Sequence, residues 1–161
     1  AVKTAADRDA LRAGLLDGAV DVVATDHAPH TLEEKERPYA NAPSGGPLVQ
    51  HSLPMMLELS AQGVLPVETV VEKMCHAPAR LFGVRDRGFL RTGHFADIVL
   101  VRPADPWTVS KENILYKCGW SPLEGTAFSH RIVRTLVNGR TVYADGRVDT
   151  AHRGAELEFD R

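Results

Sequence analysis

The sequence predicts an α/β fold, with helices packed over a parallel strand and followed by a small β unit, and three of its features carry that reading. Thr4-Ala5-Ala6-Asp7 opens a helical stretch that runs straight into Val20-Asp21-Val22-Val23-Ala24, a near-continuous β-branched run of the kind buried in a parallel sheet. Helical periodicity then resumes between residues 50 and 83. From Arg85 onward the texture changes to strands and tight turns, so two units are expected, 1–84 and 85–161, with the boundary near residues 83–88.

Each element has its own signal. Thr4 caps a helix whose apolar stripe is Leu11, Leu15 and Leu16, and Gly18 supplies its left-handed stop. The strand over residues 20–25 follows at once. Residues 31–49 read as a long irregular stretch, charged at Glu33-Glu34-Lys35-Glu36-Arg37 and then rich in Pro and Gly; a loop of that length in a compact domain is functional or disordered. Its position directly after the strand favours an active-site loop. Leu53, Met56, Leu57 and Ala61 mark a helix stopped by Gly63, Pro66 opens a second, and Pro78 starts a short third that ends at Phe82-Gly83. Ala96 to Val101 is a strand, and Ile132–Val137 and Thr141–Ala144 flank Asn138-Gly139, the dipeptide of a type I′ hairpin. Asp145-Gly146 repeats the device.

Composition narrows the function. In 161 residues, 19 basic and 21 acidic side chains are interspersed and give a net charge of -2, which leaves no electrostatic footprint for nucleic acid or an anionic membrane. A small-molecule partner is expected. The two cysteines, Cys75 and Cys118, are far apart with no CxxC, arguing against a disulfide framework or a structural zinc cluster and for a cytoplasmic setting. The sequence has no apolar run long enough to span a membrane and no signal-peptide pattern at Ala1-Val2-Lys3-Thr4. The first residue is not Met and no strand precedes the first helix, so the chain is expected to begin in the middle of a fold.

The chemistry concentrates in Asp26-His27-Ala28-Pro29-His30, at the end of the expected strand, where α/β barrels keep their reacting groups. An aspartate there either caps a turn or serves as an oxygen ligand for zinc while its second oxygen moves a proton. His30 is either a surface imidazole or a hydrogen-bond donor to a substrate carboxylate. His27 reads as structural. Ser44-Gly45-Gly46 is either a plain flexible turn or a loop whose backbone N–H groups cradle an anion. The Glu33–Arg37 run reads as a solvated face, and Met55, Met56 and Trp120 as packing residues.

Val22-Val23-Ala24-Thr25-Asp26-His27-Ala28-Pro29-His30-Thr31, with Glu33-Glu34-Lys35, resembles the last barrel strand of the dihydroorotases, a branch of the cyclic amidohydrolases. Ala42-Pro43-Ser44-Gly45-Gly46-Pro47-Leu48, Gly93-His94-Phe95-Ala96-Asp97-Ile98-Val99-Leu100, Trp120-Ser121-Pro122-Leu123-Glu124-Gly125 and Val137-Asn138-Gly139-Arg140 follow in that family's order. The resemblance implies the C-terminal part of an amidohydrolase (β/α)8 TIM barrel plus the C-terminal strands of the flanking β-sandwich. A whole barrel takes about 250 residues, so this chain is expected to be a portion, inactive without the N-terminal part.

The same resemblance implies a binuclear zinc site to which Asp26 contributes the one ligand present here, and reversible hydrolysis of dihydroorotate to N-carbamoyl-L-aspartate in pyrimidine synthesis. The metals polarise the ring carbonyl, and Asp26 takes a proton and passes it to the leaving nitrogen. His30 and the backbone around Ser44 and Gly45 would hold the substrate. Other expected partners are the remaining N-terminal part, a second copy of the chain or a transcarbamoylase. Two alternatives stay open: another cyclic amidohydrolase (hydantoinase, dihydropyrimidinase or allantoinase), or a non-catalytic relative that supports a transcarbamoylase.

Overall fold

A computed structural model describes residues 2–160. The first helix, α1 (Ala5–Asp17), is fixed at its start by a reciprocal cap. Thr4 Oγ1 accepts from the Asp7 N–H at 3.1 Å, and Asp7 Oδ2 accepts from the Thr4 N–H at 2.8 Å. Gly18 ends it at φ +89°. Of the expected apolar stripe only Leu15 reaches the core; Leu11 and Leu16 are exposed.

The expected strand over residues 20–25 is not formed. Among the described residues no neighbouring strand offers a ladder, and helices supply three bonds to the backbone of this segment instead. The Val20 N–H donates to the Gly14 carbonyl at 2.8 Å, the Val23 N–H to the Lys73 carbonyl at 3.0 Å, and Lys73 Nζ to the Val20 carbonyl.

Pro78 explains why Lys73 has a carbonyl to spare. The second long helical stretch runs through α4 (Val67–Val71), a π turn over Glu72–His76, and α5 (Ala77–Leu81), with no break at Pro78 where a third helix was expected. In the π register the Ala77 N–H bonds the Glu72 carbonyl, and the donor due to Lys73 is the N–H that proline lacks. Val23 takes its place.

The irregular stretch also contains an unforeseen element, α2 (Leu32–Lys35), capped by Thr31 and Glu34 in the same reciprocal pattern as α1. Helix α3 (Ser52–Ala61) follows. Its Met56 and Leu57, with Leu65 and Val70, form the core, against which Leu15, Val23, Leu53, Leu59, Met74 and Val101 pack. Fully burying a side chain of this size contributes roughly 1.5–3 kcal/mol, so this cluster holds helices, segment 20–25 and the β unit together.

The β unit is a four-stranded antiparallel sheet in the order β1 (Ile98–Thr108), β2 (Ala127–Val137), β3 (Arg140–Ala144), β4 (Arg147–Val148). Strand β1 lies at the edge, which accommodates Pro103 and Pro106. The two expected hairpin turns are present: Asn138-Gly139 at φ +50° and +77°, and Asp145-Gly146 at φ +48° and +82°. Asp97 ties the first of these turns down. One of its oxygens pairs with the Arg87 guanidinium, the other accepts from the Asn138 N–H at 2.7 Å, and the Gly139 N–H reaches the Ala96 carbonyl at 3.0 Å.

Sheet and helices are joined by Glu58, whose carboxylate accepts from the Ser129 N–H at 2.8 Å and its hydroxyl at 2.7 Å. These bonds hold the carboxyl below the ordinary glutamate range. Cys75 and Cys118 are free thiols.

Candidate functional site

Segment 20–25 delivers the pentapeptide to a turn. Asp26 occupies it in the left-handed region at φ +45°, a conformation that among residues with a Cβ aspartate and asparagine adopt most readily. Its carboxylate is exposed and takes no hydrogen bond from the described residues. Backbone strain of this kind gathers where a side chain is held for a purpose.

Beyond the turn, the pentapeptide lies alongside the Pro/Gly loop. His27 forms a parallel bridge with Gly46, and the Ala28 N–H donates to the Gly46 carbonyl at 3.1 Å. His27 Nδ1 accepts from the Leu48 N–H at 3.1 Å, with the Val49 N–H at 3.4 Å, which leaves the ring proton of the neutral imidazole on Nε2. The approach is tight. Gly45 sits at φ +84°, and a Cβ placed on it would lie 2.7 Å from the Ala28 Cβ.

His30 is held at three points. Its N–H reaches back to the Ala28 carbonyl at 2.9 Å across Pro29, its own carbonyl accepts from Trp120 Nε1 at 2.8 Å, and its Nδ1 lies 3.5 Å from a Glu34 oxygen. That oxygen already accepts from the Thr31 N–H at 2.9 Å, and this bond foremost holds the Glu34 carboxyl below its ordinary range. The His30 ring remains 38% exposed, open to a ligand.

A buried polar cluster backs the site. The Tyr116 ring lies 5.2 Å from that of His27; its hydroxyl accepts from the Gln50 N–H at 2.9 Å and sits 3.3 Å from His51 Nδ1. Ser121 Oγ approaches the same nitrogen at 3.3 Å, while His51 Nε2 has no partner among the described residues. The His51 side chain is fully buried, and burial pushes its pKa down, so the ring is neutral. Burial likewise raises the Tyr116 phenol.

The sequence-predicted residues thus fall into one neighbourhood, with His27 and Ala28 joined to Gly45, Gly46, Leu48 and Val49. Ser44 and Gly45 are exposed on the loop. Three contributors are new: Lys35, whose ammonium donates to the Pro43 and Gly45 carbonyls at 2.6 and 2.8 Å, Tyr116 and His51. Lys35 corrects the reading of Glu33–Arg37 as a solvated face. The Thr31-x-x-Glu34 capping signature was the available signal, since it starts a helical turn that ends on Lys35. A cavity of about 400 Å³ between α3 and the sheet, lined by Gln50, Pro54, Trp107 and Arg131, includes none of residues 26–30 or 42–48.

For a metal, the donor set here offers one oxygen ligand, Asp26. Among the described residues no three His, Cys, Asp or Glu side chains converge on a point that would hold an ion.

Known proteins resemble this chain in sequence and in fold. The chain is 42% identical over 142 residues to the dihydroorotase of Pelobacter propionicus, an alignment covering 88% of this chain and 33% of that protein. It is 41% identical over 150 residues to the dihydroorotase of Halobacterium salinarum, covering 93% and 35%. It therefore spans about a third of the length of these relatives. Among solved structures, the L-hydantoinase (dihydropyrimidinase) of Arthrobacter aurescens superposes with a TM-score of 0.84 at 31% identity, over 92% of this chain and 34% of that one. A D-hydantoinase gives 0.84 at 23% identity over 91% and 33%, a likeness of fold. The fold of these neighbours is a TIM barrel, of which this α/β chain matches about a third. Residues 2–142 match the model of the amidohydrolase family, and with more than four-fifths of its length inside that match, the chain belongs to the amidohydrolase family.

Proposed function

We propose that this chain is the C-terminal part of a zinc-dependent dihydroorotase, which hydrolyses the cyclic amide of dihydroorotate to N-carbamoyl-L-aspartate and closes the ring in the reverse direction. The observation that carries the reading is the bridge between His27 and Gly46. It draws an imidazole, His30, and the backbone of Ser44 and Gly45 into one neighbourhood, which suits a substrate that presents both a carboxylate and a ring amide. The relatives named dihydroorotase at about two-fifths identity support the same substrate class.

Asp26 would be one zinc ligand and the proton carrier, receiving a proton on its free oxygen and giving it to the departing ring nitrogen. Zinc, when bound, supplies polarisation of the ring carbonyl. The remaining ligands are assigned to the two-thirds of the relatives' length that this chain does not cover. A cytoplasmic enzyme of pyrimidine synthesis, self-paired or paired with a transcarbamoylase, follows from the same reading.

The solved hydantoinases favour a second reading, a dihydropyrimidinase-like enzyme acting on a ring without the carboxylate. Assaying the complete zinc-loaded protein against dihydroorotate, hydantoin, dihydrouracil and allantoin separates the two. Preference for dihydroorotate is expected. Preference for a ring lacking the carboxylate would replace the first reading by the second, and a complete protein that takes up no zinc and turns over none of the four would be a non-catalytic relative.

A further inference from the structure

We propose that Lys35 is a positioning residue that latches the substrate-facing loop 42–48 to the Asp26–His30 turn. The inference rests on the dihydroorotase reading for its kinetic arm and on geometry alone for its other arm.

Lys35 is the last residue of α2, a turn of helix too short to be stable by itself. What fixes α2 is its cap and the ends of its side chains. Thr31 and Glu34 close the cap, Glu34 meets His30, and Lys35 reaches eight and ten residues along the chain to the carbonyls of Pro43 and Gly45. Its ammonium has three donors, two of them occupied by these carbonyls, and no carboxylate lies within ion-pair distance among the described residues. A cation spent on two backbone carbonyls, with no acidic partner, is fastening a loop.

The orientation of the loop follows. In a trans peptide the N–H points opposite to the C=O. With the carbonyls of Pro43 and Gly45 turned to Lys35, the N–H groups of Ser44 and Gly46 are turned away from it. The Gly46 N–H is turned toward the Asp26 carbonyl in the parallel bridge with His27, while the Ser44 and Gly45 N–H groups find no backbone or side-chain acceptor among the described residues. These unspent donors are what an anionic or amide ligand needs, and Lys35 sets the direction they face. Gly45 at φ +84° lets the chain present both carbonyls to one ammonium. The loop is thus held from one side by His27 and Ala28, and from the other by Lys35.

The test uses the complete zinc-loaded protein with Lys35→Met, which keeps the apolar stem and removes the donors, and Lys35→Arg, which keeps the charge and the reach. In Lys35→Met, KM for dihydroorotate should rise about ten- to a hundredfold, the loss typical of hydrogen bonds to a charged donor, with kcat within about threefold. Lys35→Arg should return KM to within several-fold of the parent. Amide exchange should quicken at Ala28 and Leu48, whose N–H groups bond across the junction of turn and loop, in Lys35→Met and stay slow in Lys35→Arg, an effect that needs no substrate. Unchanged exchange in Lys35→Met overturns the latch whatever ring the enzyme prefers. So does a fall in kcat at constant KM, or a Lys35→Arg protein as impaired as Lys35→Met. Should Lys35→Met fail to fold, the Lys35→Arg exchange and KM decide. A parent protein that ignores dihydroorotate refutes the substrate reading and leaves the exchange result to judge Lys35.

Discussion

Val23 donates its backbone N–H to the carbonyl of Lys73 at 3.0 Å, and the Lys73 ammonium returns to the Val20 carbonyl. This pair, and no sheet ladder among the described residues, carries the segment that presents Asp26. Replacing Lys73 by Met should therefore loosen residues 20–26 at a cost of about 1 kcal/mol, the net worth of one such bond. Amide exchange at Val23 and a thermal midpoint report it; unaltered exchange would show that the segment is held elsewhere.

His27 is expected to act through the loop. His27→Phe keeps a ring against Tyr116 but removes the acceptor of the solvent-exposed Leu48 and Val49 N–H groups, costing roughly 0.5–1.5 kcal/mol, the net worth of such a bond. KM should rise with it. A variant with parental stability and KM would remove His27 from the account.

Gly45→Ala tests the close approach directly. The left-handed φ and the 2.7 Å contact with Ala28 should act together, for a loss of ~1–3 kcal/mol and of substrate affinity. Gly63→Ala is the control, because Gly63 also has positive φ, at +72°, but nothing within 4 Å of its would-be Cβ. Denaturant midpoints should fall further for Gly45→Ala.

Five carboxyls held below their ordinary range, Asp7, Asp9, Glu34, Glu58 and Glu112, and one imidazole shape the expected pH profile. Glu34 and Glu58 have folded pKa values held below those of the unfolded chain, so the stability they contribute is present above roughly pH 4.3 and is lost as pH falls through their folded values. His51 is also depressed, through burial. The unfolded chain takes up its proton below about pH 6.5 and the buried ring does so less readily, so stability declines from there downward. Thermal midpoints from pH 8 to 3.5 should fall in these two stages. His51→Phe should flatten the upper one and Glu58→Gln the lower; an unchanged upper stage in His51→Phe would contradict the buried neutral ring.

Local signals were legible in the sequence wherever a residue acts on its own neighbours. Thr4, Gly18, Asn138-Gly139 and Asp145-Gly146 lie where their chemistry dictates. Residues 20–25 read as a strand without forming one because β-branched composition states a preference, whereas a strand exists only through a partner. Pro78 reads locally as a helix start, and the helix absorbs it with a π turn in which Val23 supplies the missing donor. At the site, the pentapeptide could be read from its motif. The contributions of Lys35, Tyr116 and His51 depend on pairings across 8 to 70 residues, which no local spacing encodes.

Central to the account is the proposal that Asp26, on the left-handed turn, carries the proton. The direct measurement is steady-state hydrolysis of dihydroorotate by the complete zinc-loaded protein and its Asp26→Ala variant, with circular dichroism to confirm that both are folded. Loss of a general base costs typically about 10²–10⁴ in rate, and loss of a metal ligand adds to that. A folded Asp26→Ala protein with turnover reduced at least a hundredfold is the predicted result, and near-parental turnover in that variant would contradict it.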